Sequence, residues 1–468
     1  MGYEEGEEWV LSKMKGGYPR FFVHPGIKRL SQEIIRRHGD IAVDAALLFP
    51  SPKTANICTS FLLSKIPSEE SSKVRVIESV TTEVAGANGD CHIASRLFSV
   101  IYPKEYASIA KQVWQHAGDG ISSRRSDFFL GALGDGCLIE ATQVKLSDTT
   151  TQKICKGPKR YQRKDSPTEP TRKTTIPVTK DVDAPSIGRD VLEGRESGKF
   201  IEERFGRNLN SSQADNAKLA IRRRISGSLT ADVDLGEPLG VTSEYRIPDL
   251  TENDIFLYPT GMSSIFHTHQ ILISALGPMK SICFGFPYID TLKILEKWGP
   301  GCLFYGHGSS EDLDDLERRL SQGERYLALF TEFPGNPLLK SVDLRRIHTL
   351  AQTYGFAVVI DETIGNFINV NVLPYADVVV SSLTKTFSGD SNVMGGSAVI
   401  NPQGRFYRDI RRVFSLQYED NLWAEDAIFL ERNSRDFVSR IERTNTTTEA
   451  LTATLRASPL GECDDLIK

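Results

Sequence analysis

Long apolar runs, paired cysteines and a basic, apolar leader are all missing from this chain of 468 residues. No apolar stretch approaches the roughly 18 residues that a membrane-spanning helix needs. The start MGYEEGEEWV is acidic, where a signal peptide is basic and then apolar. The seven cysteines form no CxxC pair and are odd in number, which argues against a disulfide framework or a zinc site. We therefore expect a cytoplasmic protein without a membrane or metal site.

A strong charge of either sign is also missing. The formal net charge of −5 at pH 7 gives no global attraction to nucleic acid or to anionic membranes. A basic stretch does occur at residues 156–164, where a nuclear-localisation or nucleic-acid patch is one interpretation. It has no helical phase, however, and its surroundings are rich in Lys, Arg, Thr and Pro. We favour a basic, solvated linker over residues 146–195 and expect no nucleic-acid partner.

Three further regions follow from the periodicity of apolar residues. Residues 1–145 mix helical and strand-like patterns and predict an N-terminal α+β extension without an evident role. In residues 196–402 short apolar runs alternate with amphipathic helices, which is typical of a doubly wound α/β domain with a mostly parallel sheet. Residues 403–468 are nearly all helical, and the longest candidate runs from Leu422 to Arg443.

Four segments of the α/β domain end a strand or begin a helix, where open α/β sheets gather their ligand groups. In YPTGMSSI, the small residues Thr260 and Gly261 precede a helix whose free N–H groups can meet a phosphate, although such turns are also ordinary helix starts. In VVIDETIGN, Asp361 follows an apolar strand. A carboxylate there can keep a heterocyclic nitrogen protonated, cap a loop or bind a metal.

The other two segments carry an amine and an amide. In SSLTKTFSGDSNVMGG, Lys385 follows an apolar strand; it can form an imine with an aldehyde, and the hydroxyls of Ser382 and Thr384 can bind a phosphate. We expect this lysine to be buried, which would lower its pKa and free its amine. In TEFPGNPLL, the Asn336 amide can donate to a phenolic oxygen. Together these groups suit pyridoxal 5′-phosphate (PLP).

The four segments, in this order, resemble the Cys/Met-metabolism PLP enzymes, the transsulfuration family, whose lysine segment reads Ser-x-Thr-Lys before a Gly-rich turn. Longer stretches such as FGFPYIDTLKILEKWGPGCLFYGHGSSEDLDDLE and GYPRFFVH look like the fungal cystathionine γ-synthases. The resemblance extends from about residue 2 to about residue 455, with the linker poorly matched. It implies a PLP-dependent transferase of fold type I.

The resemblance also implies a role for individual residues. Lys385 would be the catalytic residue that holds PLP as a Schiff base and moves protons, and Asp361 would pair with the pyridine nitrogen. The other cofactor-binding positions would be Gly261, Met262, Ser382 and Thr384 at the phosphate and Asn336 near the phenolic oxygen. Phe284 stands where the family has a tyrosine stacked on the ring, and Tyr288 is the alternative. Arg207 matches an arginine that reaches the phosphate of a neighbouring subunit, which implies a homo-oligomer, either a dimer or a tetramer.

The implied reaction is a γ-replacement on small amino-acid substrates. An O-acetyl- or O-succinylhomoserine and cysteine would give cystathionine, as in methionine biosynthesis, or a related C–S or C–C bond would form in a secondary pathway. A sulfhydrylase or lyase of the same family is an alternative. Family members continue into a small C-terminal domain with an arginine that clamps the substrate α-carboxylate, and no such segment precedes Lys468. We therefore expect a truncated small domain, which leaves open a non-catalytic interaction protein with a PLP fold.

Overall fold

The computed structural model describes residues 7–11, 13–14, 21–81, 95–143, 211–227, 229 and 248–457. The described parts before residue 142 and after residue 207 belong to one compact unit. The predicted linker of residues 146–195 and Arg207 lie outside the described residues. The domain boundaries given above therefore stay predictions.

The N-terminal region folds into helices and one antiparallel sheet. Its elements are α1 (Glu8–Leu11), α2 (Pro25–His38), β1 (Asp44–Phe49), α3 (Pro52–Leu63), β2 (Arg75–Thr81), β3 (Arg96–Pro103), α4 (Ala107–Ala117), α5 (Ser123–Gly134) and β4 (Leu138–Glu140). The strands lie in the order β1-β3-β2-β4, and each is antiparallel to its neighbours. The predicted α+β extension is thereby confirmed.

The region after residue 210 builds a seven-stranded sheet with helices on both faces. Its elements are α6 (Ser211–Ser226), β5 (Ile255–Tyr258), α7 (Gly261–Leu276), β6 (Ser281–Phe284), α8 (Ile289–Lys297), β7 (Cys302–Tyr305), α9 (Ser310–Ser321), β8 (Ala328–Glu332), α10 (Leu344–Tyr354), β9 (Ala357–Asp361), β10 (Val378–Ser382), β11 (Gly396–Ile400), α11 (Tyr407–Gln417), α12 (Ala424–Asn433) and α13 (Phe437–Ala457). The strand order is β5-β11-β10-β9-β8-β6-β7. Strands β6 to β10 are parallel to one another, whereas β11 is antiparallel to both of its neighbours. The predicted doubly wound, mostly parallel sheet is confirmed.

Alternate residues of the central strands pack into two hydrophobic clusters, one on each face of the sheet. Val358 and Ile360 of β9 belong to the cluster that contains the apolar stripes of α9 and α10. Val359 belongs to the other cluster, which contains α7 and the N-terminal helices α3 and α4. Side chains of a strand point alternately to the two faces, so strands buried on both sides are apolar throughout. The N-terminal region thus shares a core with the α7 face of the sheet.

Polar residues begin the helices that flank this sheet. Thr260 Oγ1 accepts from the Ser263 N–H at 3.0 Å at the start of α7, and Ser309 Oγ accepts from the Asp312 N–H at 3.3 Å at the start of α9. Asp343 caps α10 in the same way. These side chains satisfy N–H groups that a helix leaves without an internal partner. The helix starts therefore follow from local sequence.

The secondary structure departs from the prediction in two places. Strand β5 is absent from the prediction because its four residues, IFLY, run straight into the turn YPTGM. The helix predicted from Leu422 to Arg443 is divided into α12 and α13. Arg224 of α6 stabilises the break between α12 and α13. Its Nη1 donates to the Glu431 carbonyl oxygen at 3.2 Å and to Ser434 Oγ at 3.1 Å.

Candidate active site

The turn from β5 into α7 lies directly against the end of β10. Gly261 is buried, and a Cβ atom on it would lie 2.6 Å from the Cβ of Ser382, which is too close for any side chain. The start of β11 is equally tight, since a Cβ on Gly396 would lie 2.1 Å from the Thr260 carbonyl oxygen. The first N–H groups of a helix have no intrahelical partner and attract anions. This turn and Ser382 therefore form one closely packed unit whose chemistry suits an anion, and we call it the phosphate cradle below.

Thr363 links the predicted carboxylate to the phosphate cradle. Asp361 ends β9, and its Oδ1 accepts from the Thr363 N–H at 2.9 Å and from Thr363 Oγ1 at 2.6 Å. The same hydroxyl oxygen accepts from the Ser382 N–H at 2.8 Å. Burial raises the pKa of Asp361, and the two hydrogen bonds from Thr363 oppose that rise because they favour the charged form. Asp361 and Ser382 are thus joined through one side chain.

A small cavity at the same edge of the sheet contains a second carboxyl group, that of Glu332. The cavity is lined by Ile265, Pro287, Tyr288, Thr291, Phe330, Thr331, Glu332, Val359, Asp361 and Val380. Glu332 is the register partner of Asp361 across β8 and β9, and its Oε2 accepts from the Tyr288 N–H at 3.1 Å. Burial, followed by the charge of Asp361, raises the pKa of Glu332 to about 8. This carboxyl group is therefore mostly protonated at neutral pH.

Tyr288 and Phe330 are the aromatic residues that line the cavity, whereas Phe284 faces the opposite side of the sheet. Phe284 is fully buried beside Tyr305, with ring centroids 5.8 Å apart. Because side chains alternate along β6, Phe284 packs in the same cluster as Ile360, while Val359 of the cavity wall packs in the other. The assignment of Phe284 to ring stacking does not agree with this placement. Tyr288, the alternative, is the residue that the fold brings to the cavity.

Lys385 lies on the turn after β10, three residues beyond Ser382. It is exposed, so the prediction of a buried lysine is wrong. The physical reason is that the chain leaves the sheet in a turn here, with the Gly389 N–H donating to the Lys385 carbonyl oxygen at 2.8 Å. The Thr384 hydroxyl, predicted to bind phosphate, donates to the Gly395 carbonyl oxygen at 3.3 Å and accepts from the Gly395 N–H at 3.1 Å. It thereby holds the start of β11.

Of the remaining predicted residues, Met262 and Asn336 are described by the structure and Arg207 is not. Met262 follows Gly261 in the first turn of α7, and its side chain packs against the cluster shared with the N-terminal region. Its side chain is thus part of this core rather than of the phosphate cradle. Asn336 is exposed on the loop after β8 and does not line the cavity. Arg207 lies outside the described residues.

Two residues of the site have no role in the sequence prediction. Thr363 was recognisable in principle, since a residue two positions after an aspartate commonly donates to its carboxylate and closes a turn. The pKa of Glu332 is raised first by burial and second by the charge of Asp361 on the neighbouring strand. No spacing along the chain indicates that contact.

The described ranges contain neither a cluster of metal ligands nor a helix that could span a membrane. Within them, no group of three or more His, Cys, Asp or Glu side chains is placed to hold a metal ion. The described helices also include none that is both long and apolar enough to span a bilayer.

Comparison with known proteins gives two family matches, one for each sheet. Residues 26–122 match the N-terminal domain of fungal trans-sulfuration enzymes. Residues 236–462 match the Cys/Met metabolism PLP-dependent enzymes. The seven-stranded sheet is accordingly that of PLP-dependent fold type I, as the sequence predicts.

Curated relatives cover almost the whole chain. A cystathionine gamma-synthase of Neurospora crassa is 47% identical over 98% of this chain and 77% of its own length. A cystathionine gamma-synthase-like enzyme of Amanita muscaria is 38% identical over 97% of this chain and 71% of its own length. A cystathionine gamma-synthase of Saccharomyces cerevisiae is 34% identical, with 96% and 76% covered. The chain belongs to the Cys/Met-metabolism PLP-dependent enzymes and carries the N-terminal domain of their fungal trans-sulfuration members.

Proposed function

We propose that this chain catalyses a PLP-dependent γ-replacement in which O-acetyl- or O-succinylhomoserine and cysteine give cystathionine. The observation that carries the proposal is the link made by Thr363, whose hydroxyl donates to Asp361 and accepts from Ser382. The expected partners of the pyridine nitrogen and of the phosphate are thereby held as one unit. The curated relatives named cystathionine gamma-synthase support cystathionine as the product.

The residues present fit PLP. Its phosphate suits the first turn of α7, where Gly261 allows a close approach to Ser382 that a side chain would prevent. Its pyridine nitrogen suits Asp361, which is half-buried and fixed by two hydrogen bonds. Lys385, an exposed residue, supplies the amine with which its aldehyde reacts. When bound, PLP supplies an electron sink for the charge that develops at the substrate α-carbon.

Each side chain then has a defined task. A charged Asp361 stabilises a proton on the ring nitrogen, and Thr363 favours that charge by donating to the carboxylate. Tyr288 offers an aromatic face to the ring. Lys385 removes the proton from the substrate α-carbon and later returns it. Glu332, mostly protonated, adds little negative charge beside Asp361 at neutral pH.

The proposal extends to assembly and location. We infer a homo-oligomer in the cytoplasm, in which Arg207 reaches the phosphate cradle of a neighbouring subunit, as the family resemblance implies. Size-exclusion chromatography with light scattering measures the assembly. A fully active monomer whose activity is unaffected by Arg207→Ala would contradict this part of the proposal.

Purified protein supplied with PLP, a homoserine ester and cysteine tests the reaction. We expect cystathionine and free acetate or succinate from at least one of the two esters, measured by mass spectrometry, and no product from Lys385→Ala. Sulfide in place of cysteine tests the sulfhydrylase alternative, and cystathionine alone tests the lyase. A wild-type protein that binds PLP but converts none of these substrates overturns the proposal and favours the non-catalytic interaction role.

A further inference from the structure

A loop of the N-terminal region contacts the first turn of α7. Gly118 ends α4 in the left-handed conformation, with φ +64°, and its carbonyl oxygen accepts from Thr260 Oγ1 at 3.1 Å. The approach is so close that a Cβ on Gly118 would lie 2.3 Å from Thr260 Oγ1 and 2.8 Å from the Ser263 nitrogen. Position 118 therefore requires glycine for both its backbone conformation and its packing.

The next residue, Asp119, binds two side chains of α7 with its two carboxylate oxygens. Its Oδ1 accepts from Ser263 Oγ, and its Oδ2 lies 2.8 Å from His267 Nε2. Ser263 and His267 are four residues apart and so lie on the same face of the helix. Asp119 is only 2% exposed. One buried carboxylate thus ties together the first two turns of α7.

His267 is itself held in place. Its ring stacks on Tyr258 of β5, with centroids 5.5 Å apart and an interplanar angle of 12°. The residues on both sides of the β5–α7 turn are therefore connected to Asp119, directly or through this ring. On its other side the same turn lies against Ser382, where no side chain fits at position 261.

We propose that Gly118 and Asp119 are positioning residues for the cofactor phosphate, so that the N-terminal domain of residues 26–122 holds the phosphate cradle in its binding geometry. This inference rests on the proposed function, because it takes the first turn of α7 as the phosphate site. Backbone N–H groups bind an anion tightly only if they are already oriented toward it. Asp119 supplies that orientation from outside the α/β domain without touching the phosphate.

Asp119→Ala, compared with Gln112→Ala, tests the inference in the full chain. Gln112 lies on α4, the helix that precedes Asp119, and accepts from Lys297 Nζ at 2.8 Å, so its substitution removes a contact between the same two regions away from the α7 turn. We expect Asp119→Ala to weaken PLP binding at least about tenfold and to change the ³¹P NMR signal of the bound phosphate. Gln112→Ala should match the wild type, and Asp119→Asn, which keeps one acceptor for Ser263, should lie between them.

Hydrogen exchange of the amides of residues 261–264, measured without PLP, separates the two proposals. Faster exchange is expected in Asp119→Ala than in Gln112→Ala. Equal exchange and equal PLP affinity in these two variants overturn the inference. A wild type that does not bind PLP overturns the proposed function instead, and with it the cofactor role of Asp119, whereas the exchange rates still show whether Asp119 holds the turn. If Asp119→Ala does not fold, Ser263→Ala carries the same measurements, with a loss of PLP affinity of about fivefold expected.

Discussion

Glu332 and Asp361 are register partners at the carboxyl ends of two adjacent parallel strands. Each carboxyl group is tied to a different segment, Asp361 to Thr363 and Glu332 to the backbone of Tyr288. A second negative charge at this edge is unfavourable, since burial and a neighbouring carboxylate both disfavour ionisation. The pair therefore combines a carboxylate that can serve the ring nitrogen with a carboxylic acid that stays mostly neutral.

Replacement of Glu332 by glutamine should change how stability depends on pH. The pKa of Glu332 rises from its ordinary value of 4.5 to about 8 in the folded protein. Between these values the folded state holds a proton that the unfolded state releases, so stability falls as the pH rises, by up to about 1.4 kcal/mol for each pH unit. E332Q lacks this loss. We expect it to gain stability relative to the wild type between about pH 5 and about pH 9.

Urea denaturation of the PLP-free protein at the two pH values measures that gain. Glu296→Gln is the matched control, because Glu296 is an exposed glutamate paired with Lys293. The control should show no comparable trend. A difference between E332Q and the wild type that stays constant across this pH range would be evidence against a raised pKa at Glu332.

Lys385→Ala should remove the covalent attachment of PLP. The exposed amine of Lys385 is the nucleophile expected to react with the aldehyde. The visible absorption band of the lysine-bound cofactor should be lost, and borohydride reduction followed by peptide mass spectrometry should no longer label residue 385. Lys293 is a partly exposed lysine on α8, and Lys293→Ala should leave both signals intact. Persistence of the band in Lys385→Ala would remove this lysine from its role.

Gly261→Ala should weaken PLP binding at least about tenfold, because the new Cβ would lie 2.6 Å from that of Ser382 and would push the phosphate cradle apart. Gly131→Ala is the control. Gly131 lies inside helix α5 with no atom within 4 Å of a Cβ, so alanine should keep stability or raise it by up to about 1 kcal/mol. Titration of each PLP-free variant with PLP gives the affinities. Equal PLP affinities for the two variants would contradict the proposal that the phosphate cradle binds PLP.

Substitutions at Tyr288 and Phe284 should have different effects. Tyr288→Phe keeps an aromatic face and should largely keep PLP affinity, whereas Tyr288→Ala should lower it. Phe284→Ala removes a fully buried ring and should destabilise the fold by about 3–5 kcal/mol. PLP titration and urea denaturation distinguish these effects. If Phe284→Leu lowers PLP affinity while Tyr288→Ala does not, Phe284 rather than Tyr288 stacks on the PLP ring.

Thr363→Val should weaken PLP binding about tenfold, because valine keeps the shape but removes the hydroxyl that links Asp361 to Ser382. The loss of one hydrogen bond to the carboxylate should also raise the pKa of Asp361 further, so the acidic limb of the activity profile should move to higher pH. Thr353→Val is the control, since that hydroxyl only donates to a helix carbonyl at the surface. An unchanged pH profile in Thr363→Val would mean that the link does not tune Asp361.

Local patterns were sufficient to predict most of the sheet but not the direction of individual side chains. The runs Ser281–Phe284 and Cys302–Tyr305 are mainly apolar and bounded by turn residues, and both are strands with these limits. The family resemblance nevertheless implies a stacking role for Phe284, whereas the alternation of side chains along β6 places it on the face opposite the cavity. The exposure of Lys385 was not predictable either, because it depends on the path of the turn after β10.

Contacts between distant segments lay beyond prediction from one sequence. The ordered motifs around Gly261, Asp361 and Lys385 indicate the cofactor, since each follows a strand and carries a group with a distinct chemistry. The bonds from Asp119 to Ser263 and His267 bring together residues that no spacing relates. Only the shared core of α4 and α7 places them side by side.

The close approach at Gly396 gives the chain an uneven tolerance to substitution. Strand β11 separates β5 from β10, and the turn into α7 reaches Ser382 across the first residue of that strand. A map of all single substitutions should therefore divide the glycines into two classes. Positions 261 and 396 should reject even alanine, whereas positions 131 and 134, where a Cβ meets nothing within 4 Å, should accept it.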